Sequence, residues 1–396
     1  MIKYLVGWLM PMLLLFVVTT IGSTNELPAL PGVVYDVLFK GDVEFEYKAG
    51  SLSPKEKALW LAVGTREKGR LGGPQKLWLW LLDAMGKKRL ELDLQHLLNN
   101  KLNSKQYVDI ENIVALEGGG VAVILVSETG SPTLARFDKT GSLISLRPLK
   151  KEVRDVLFSK IILASNDNLF LIGRLNGRAA VIKIDAAGDI LWEKVVDDKA
   201  EEKISIFLDA VVSSDGELIL LGHVVNSKGG HRLCIEMLNV QGKFQHKLAF
   251  DGERGAIAHA GDHGYIVALA RKQEKTQSIC LIGYSPSLKE LWKTKMFEEE
   301  NFSAAHIPVK AAATIGGDSL VVMSKKSRPW IVQVKDGGKV LWRHMLQNDS
   351  LFSEIVWNFD LLQSASEFTI PITMLNVDPK VMEQRQEMRV IKFVLK

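Results

Sequence analysis

Short apolar runs rich in Ile, Val, Leu and Trp, punctuated by Gly, Asp and Asn, recur along most of this 396-residue chain. Their length and flanking turn residues predict β-strands joined by hairpins rather than helices. The clearest unit is Leu169–Gly173, then Ala180–Asp185, then the turn Ala186-Ala187-Gly188, then Asp189–Lys194. That is strand, loop, strand, tight turn, strand. The same order returns in Leu218–Gly222 with Leu233–Val240, Gly242 and Phe244–Phe250, and in Tyr265–Ala270 with Ile279–Tyr284 and Leu291-Trp292. It returns again in Leu320–Met323 with Ile331–Val334, Gly338 and Leu341-Trp342. Upstream copies are Trp60–Gly64 with Leu77–Leu82, Gly86 and Leu90–Leu94, and Val121–Val126 with Leu134–Phe137, Gly141 and Leu143–Leu146.

One further short apolar strand precedes the units, as in Ile110–Leu116, Val156–Leu163, Ile204–Val212 and Ile355–Leu362. Four strands repeating every 50 residues or so (about one blade length) describe a β-propeller in which the innermost strand comes first. The expected fold is therefore all-β, a single seven-bladed β-propeller of four-stranded antiparallel blades. Only Leu94–Leu102 reads as a turn or two of helix. The seventh unit, Ile355–Leu362, Phe368–Leu375 and Met388–Leu395, has three strands. Gly41–Lys48 resembles Gly188–Lys194 in type, so an N-terminal strand at Gly41–Lys48 is expected to complete the C-terminal blade and remove the last open edge. An open stack of units, or two separate β-domains, is the alternative. No Pro/Gly/Ser-rich linker divides the repeats.

The N-terminus breaks the pattern. Lys3 precedes an apolar run from Tyr4 to Ile21, followed by Gly22-Ser23-Thr24. A basic start, an apolar stretch and small exit residues predict a signal peptide over residues 1–23, leaving 24–396 as the propeller. The alternative is a retained N-terminal anchor, since the run approaches spanning length. No basic cluster follows the run to hold it, which favours cleavage. No cysteine stands at its exit, and no second apolar run nears membrane length. The expectation is an exported, soluble protein, periplasmic or extracellular, with membrane contact only if the segment stays.

Composition narrows the function classes. Fifty Lys and Arg against 46 Asp and Glu leave a formal charge of +4, too little to imply nucleic-acid binding at this size. The two cysteines, Cys234 and Cys280, hold the same position in consecutive units. Stacked sheets lie about 10 Å apart, beyond disulfide reach, so no bridge between them is expected.

The stretch Lys183–Glu193, with Asp185, Gly188 and Trp192 at fixed offsets, resembles the blade signature of the quinoprotein-like, or PQQ-like, repeat superfamily. Asp336–Trp342 and Phe137–Leu143 are partial copies, the second without the Trp. The resemblance implies the propeller fold and spans both quinone-dependent dehydrogenases and scaffolds. Cofactor-bearing members have eight blades, repeated Trp signatures and a vicinal Cys pair. Here there are seven units, Leu-Trp at three turns (Trp192, Trp292 and Trp342), and separated cysteines. A non-cofactor type is the implied match, and the Trp side chains read as packing between sheets.

No catalytic, cofactor or metal residues are expected. His259 and His263 have helical spacing, but Gly261–Gly264 reads as a turn, and no Cys/His or carboxylate set has metal-ligand spacing. Gly118-Gly119-Gly120 reads as a hairpin turn, since no helix follows it to make a phosphate cradle. What alignment of the units does bring out is charge. Connections between second and third strands share one propeller face, and they are basic: Arg66 and Arg70; Arg174 and Arg178; Lys228, His231 and Arg232; Arg271 and Lys272; Lys325, Lys326 and Arg328. Blade-linking segments on that face are often acidic, as in Asp197-Asp198, Glu201-Glu202 and Glu298–Glu300. The alternative is that these polar loops are simply solvated. The expected function is a non-enzymatic binding or scaffold module, monomeric, holding a protein or polymeric ligand on that loop face without cofactor. The alternative is a quinoprotein-like oxidoreductase or a carbohydrate-active propeller enzyme.

Overall fold

The computed structural model describes residues 33–39, 43–53, 56–67, 76–102, 108–127, 132–149, 156–196, 202–226, 231–273, 276–300, 309–314, 316–325, 328–346, 353–364, 367–378 and 383–394. These form seven antiparallel sheets. Six are contiguous in sequence. Blade 1 runs Val43–Leu52, Leu59–Glu67, Lys76–Leu82 and Lys88–Asp93, and blade 2 runs Val108–Ala115, Val121–Ser127, Pro132–Phe137 and Leu143–Pro148. Blade 3 spans Val156–Val195, blade 4 Glu202–Asp251, blade 5 Arg254–Glu300 and blade 6 Val309–Met345. Within each of these, chain order is also spatial order, and the first strands of successive blades pack side by side around the centre.

Blade 7 closes the ring. Its strands are Ser353–Phe359 extended by Leu362–Ser364, then Glu367–Asp378, Glu383–Val394 and, from the other end of the chain, Val33–Phe39. Closure by an N-terminal strand is thus present, but not through Gly41–Lys48. That segment belongs to the first strand of blade 1, and the closing strand lies just before it, pairing Val37 with Val390 and Phe39 with Met388. The physical reason is the tight connection on its C-terminal side. Val43–Leu52 leads straight into Leu59–Glu67, with Ser53 N–H donating to Ala58 O, whereas an outer strand leads out of its blade.

The turns between third and outer strands show why the repeat carries Asp and Gly. Asp185 Oδ1 accepts from the N–H groups of Ala187 and Asp189, both at 2.8 Å, while Gly188 closes the loop at φ +90°. Asp83, Asp138 and Asn239 do the same before Gly86, Gly141 and Gly242. A short carboxylate or amide mimics a backbone turn, and glycine supplies the left-handed residue. Blade 5 manages without glycine: Leu288 takes φ +60° at the equivalent place.

The turn glycines also dock blades together. A Cβ on Gly242 would meet the Trp192 ring of blade 3 at 3.1 Å, and one on Gly338 would meet Trp292 of blade 5 at 2.7 Å. Trp192 and Trp292 therefore lie under the turn of the next blade, which is the inter-sheet packing expected of them. Most of the core is of this kind, aliphatic layers between neighbouring sheets. Between blades 7 and 1 it is Phe39, Phe45, Tyr47 and Trp80 packed on Met388 and Val390. A fully buried Trp or Phe contributes about 2–3 kcal/mol through burial.

Cys234 and Cys280 are both buried free thiols on the third strands of blades 4 and 5, four residues before the strand ends Leu238 and Tyr284. The one α-helix among the described residues, Leu94–Leu102, starts where Asp93 Oδ1 caps the His96 N–H at 2.9 Å. Its Leu94 and Leu98 enter the core between blades 1 and 2.

Candidate functional site

Because every blade runs in the same direction, connections between second and third strands emerge on the same face as the blade-linking segments. Arg66, Arg174, Arg271, Lys272 and Lys325 lie toward the ends of second strands, and Arg178, His231, Arg232 and Arg328 at the starts of third strands. These residues ring one face from blades 1, 3, 4, 5 and 6. Arg70, Lys228 and Lys326 fall outside the described residues. The face is distributed rather than clustered. Arg66 pairs with Glu46 at 3.7 Å and Arg232 with Asp251 at 3.5 Å. Arg178 starts its strand directly after the two-residue turn Asn176-Gly177, both residues left-handed (φ 51° and 74°), the hairpin chemistry that Asn-Gly favours. Glu298–Glu300, read from sequence as a linking segment, instead extends the outer strand of blade 5, Glu299 opposite Gln277.

The centre of the ring carries chemistry that the repeat pattern conceals. Inner strands should be apolar, yet polar side chains stand at or beside several breaks in their register. Blades 1, 2, 3, 4 and 7 have bulges in the inner strand, at Lys48, Glu111, Ser159, Leu208 and Trp357, with a further shift at Ser205 in blade 4. A bulge leaves ladder groups unpaired and turns side chains aside. Here the neighbouring blade uses them. Glu111 Oε1 accepts the Phe158 N–H at 2.6 Å, Ser159 Oγ donates to Phe207 O, and Asn112 Nδ2 donates to Ser159 O at 3.2 Å. Asp209 Oδ2 accepts the Ile257 N–H at 2.9 Å, and Thr373 Oγ1 accepts the Tyr47 N–H at 2.7 Å. Gln363 brackets Ala313, accepting its N–H at 3.0 Å and donating to its carbonyl. Between blades 1 and 2, Ser51 Oγ takes the Ala115 N–H at 2.9 Å. Between blades 5 and 6, Thr294 Oγ1 donates to Gly338 O at 2.7 Å and His263 Nδ1 sits 3.1 Å from Asp336 Oδ2. All seven junctions are stapled by side chains.

Four of the central residues form two ion pairs, each between neighbouring blades. Lys160 of blade 3 pairs with Asp209 of blade 4. Lys310 of blade 6 lies 3.5 Å from Asp360 of blade 7, whose other oxygen accepts the Tyr47 hydroxyl at 3.2 Å. Asp360 first, and Asp209 as well, hold the Lys310 ammonium above its ordinary pKa against the lowering effect of enclosure. Blades 4 and 6 are not neighbours, so these groups act on each other through the centre of the ring. Burial, with the adjacent Asp360, pushes the Tyr47 hydroxyl well above its ordinary range. Glu111 is pushed up to about 7 by burial, with Asp109 adding and the Phe158 N–H opposing. Its Oε2 is buried with no hydrogen-bond partner.

Sequence reasoning passes over these residues. The available signal is a lone charge inside an otherwise apolar inner strand, as in Phe158-Ser159-Lys160-Ile161 and Phe207-Leu208-Asp209-Ala210. His223, on the second strand of blade 4, shares a 3.0 Å hydrogen bond with Ser205 Oγ. Among the described residues, no group of three or more His, Cys, Asp or Glu is arranged to hold a metal. Among them, too, no helix is long and apolar enough to cross a membrane. The N-terminal segment 1–23 lies outside the described residues.

No family model matches this sequence, and no curated protein does. Solved structures match it in fold. The WD40 domain of Toxoplasma gondii coronin aligns with a TM-score of 0.53 at 12% identity, over 94% of this chain and 88% of that one. Kluyveromyces lactis Hsv2 with loop 6CD replaced by a Gly-Ser linker aligns with a TM-score of 0.50 at 11% identity, over 87% and 98%. The likeness is one of fold alone. The chain is a seven-bladed β-propeller.

Proposed function

We propose that this chain is an exported binding or scaffold module whose partner docks on the face formed by the ends of second and third strands. The observation that carries the reading is the recurrence of Arg and Lys at that one strand level in five blades: Arg66, Arg174 with Arg178, Arg232, Arg271 and Arg328. A rigid ring presents such side chains as a wide platform, and a platform needs no catalytic group. Positive charge spread around a rim suits an anionic protein or polymer, captured in a salt-dependent way. Export rests on Lys3 and the Tyr4–Ile21 run, and an exported chain meets its partner in the periplasm or outside the cell. The Gly–Trp docking of Trp192 and Trp292 supports kinship with quinoprotein-like repeats of the type that holds no cofactor.

The test is affinity capture from an envelope extract at low and raised salt, using the chain, an Arg174→Glu/Arg178→Glu variant and a Lys335→Glu/Lys339→Glu variant on the opposite face. The reading requires partner recovery to collapse in the first variant and persist in the second. Equal recovery from both would refute it.

A further inference from the structure

Two of the carboxylates at the centre of the ring, Asp209 and Asp360, are engaged on both oxygens, while the lysines beside them keep donors to spare. Asp209 accepts three bonds: Oδ1 takes the Ala210 N–H and the Lys160 ammonium, and Oδ2 takes the Ile257 N–H. Asp360 is occupied in the same way, Oδ1 by the Leu361 N–H and the Lys310 ammonium, Oδ2 by the Tyr47 hydroxyl. The two lysines are not saturated. An ammonium carries three donors, and each has one described carboxylate partner. Although the ring encloses them, Lys160 and Lys310 keep 36% and 41% of their side chains open to solvent.

Lysines with donors left over, each held by a carboxylate already engaged on both oxygens, describe a site for an acceptor. We propose that the central opening binds a small oxyanion, a carboxylate or a phosphate, held between the ammonium groups of Lys160 and Lys310. Asp209 and Asp360 act as orienting partners, keeping each lysine charged and its head group placed. Register breaks put these residues there: Lys160 follows the bulge at Ser159, Asp209 follows the one at Leu208, and Asp360 stands where the inner strand of blade 7 is interrupted before Leu362–Ser364. Bracing of the blades accounts for the carboxylates, which bond neighbouring backbone, but leaves the open lysine surface without a role. Two cations offset by two carboxylates imply modest affinity, so the site selects by geometry more than by net charge. The proposal is independent of the loop-face reading and concerns different residues.

The experiment is a thermal-melt titration of the whole chain with inorganic phosphate and, separately, with succinate, against sodium chloride at matched ionic strength. The phosphorus-31 linewidth of phosphate gives a second readout. A saturable rise in Tm beyond the chloride control is expected with at least one anion, the two arms distinguishing phosphate from carboxylate. Two paired variants, Lys160→Met/Asp209→Asn and Lys310→Met/Asp360→Asn, remove a cation without stranding its carboxylate. Each should weaken half-saturation at least tenfold while keeping the sheet signal in circular dichroism. Lys335→Met on an exposed turn should leave the titration unchanged. Should a paired variant unfold, Lys310→Arg, which keeps the ion pair but alters the head group, must still move half-saturation at least threefold. No saturable rise with either anion, or an equal rise in the lysine variants, overturns the proposal.

Discussion

Asp36 and Arg389 lie 353 positions apart and share a two-pronged ion pair, Nε donating to Oδ1 at 2.8 Å and Nη2 to Oδ2. Asp36 is on the closing strand and Arg389 on its partner, offset in register (Asp36 opposes Ile391). Arg389 is buried, so the pair fixes which residues of the two chain ends meet. Asp36→Ala strands the guanidinium and should cost about 2–3 kcal/mol of stability, most of it recovered when Arg389 is replaced by Leu as well. Denaturant melts of the two variants check this; a cost unchanged in the double variant would mean the pair does not act as a unit.

Adjacent glycines separate strain from crowding. Gly337 and Gly338 both have φ +84°, but a Cβ at Gly337 meets nothing within 4 Å, whereas one at Gly338 meets Thr294 at 2.5 Å and Trp292 at 2.7 Å. Gly337→Ala should cost about 1 kcal/mol, for conformation alone. Gly338→Ala should cost about 2–4 kcal/mol, since the docking of blade 6 on blade 5 must also shift. Calorimetry that ranks the two equally would show that the Trp292 contact carries no weight.

Glu111 gives the ring a pH dependence. Its pKa is raised from 4.5 to about 7 in the folded chain. A raised acid favours folding while protonated, so its contribution is fully present below about pH 4.5 and is lost as pH rises through about 7. The size is about 2–3 kcal/mol across that window. Melts at pH 5 and pH 8 should therefore differ more for the native chain than for Glu111→Gln, which stays neutral while keeping the acceptor for Phe158. Parallel curves for the two proteins would place the titration elsewhere.

The thiols offer a simple count. Both cysteines are buried and unbridged, so a thiol reagent should find close to none in the native chain and two after denaturation. One or none after denaturation without reductant would contradict the placement of Cys234 and Cys280 in successive blades.

Much of this fold is legible in the residues, because each blade writes its outer hairpin in local chemistry. Asp185, Gly188 and Trp192 are a turn acceptor, a left-handed hinge and a docking ring, and the same offsets recur at Asp138 with Gly141 and at Gly338 with Trp342. The closing strand escapes a sequence reading for the same reason. Gly41–Lys48 has the local signature, while Val33–Phe39, which does close the ring, is only a short apolar run broken by Asp36, with no turn signature of its own. Long-range pairing leaves little local trace. The central groups are harder still, since bulges at Lys48, Glu111 and Ser159 add a residue to the strand and break the period by which equivalent positions are found. The basic residues of the loop face are legible as a set, but not their ion pairs with Glu46 and Asp251.

Ring closure by Val33–Phe39 is the claim on which the rest stands, and a cross-link tests it most directly. Val37 and Val390 are opposed in register; opposed antiparallel residues have Cα atoms about 4.5–5.5 Å apart, within disulfide reach. Val37→Cys/Val390→Cys, oxidised and mapped by mass spectrometry, should form an intramolecular bridge with the native fold intact. Failure of that bridge, together with ready bridging of Val390→Cys to a cysteine placed in Gly41–Lys48, would contradict closure by Val33–Phe39.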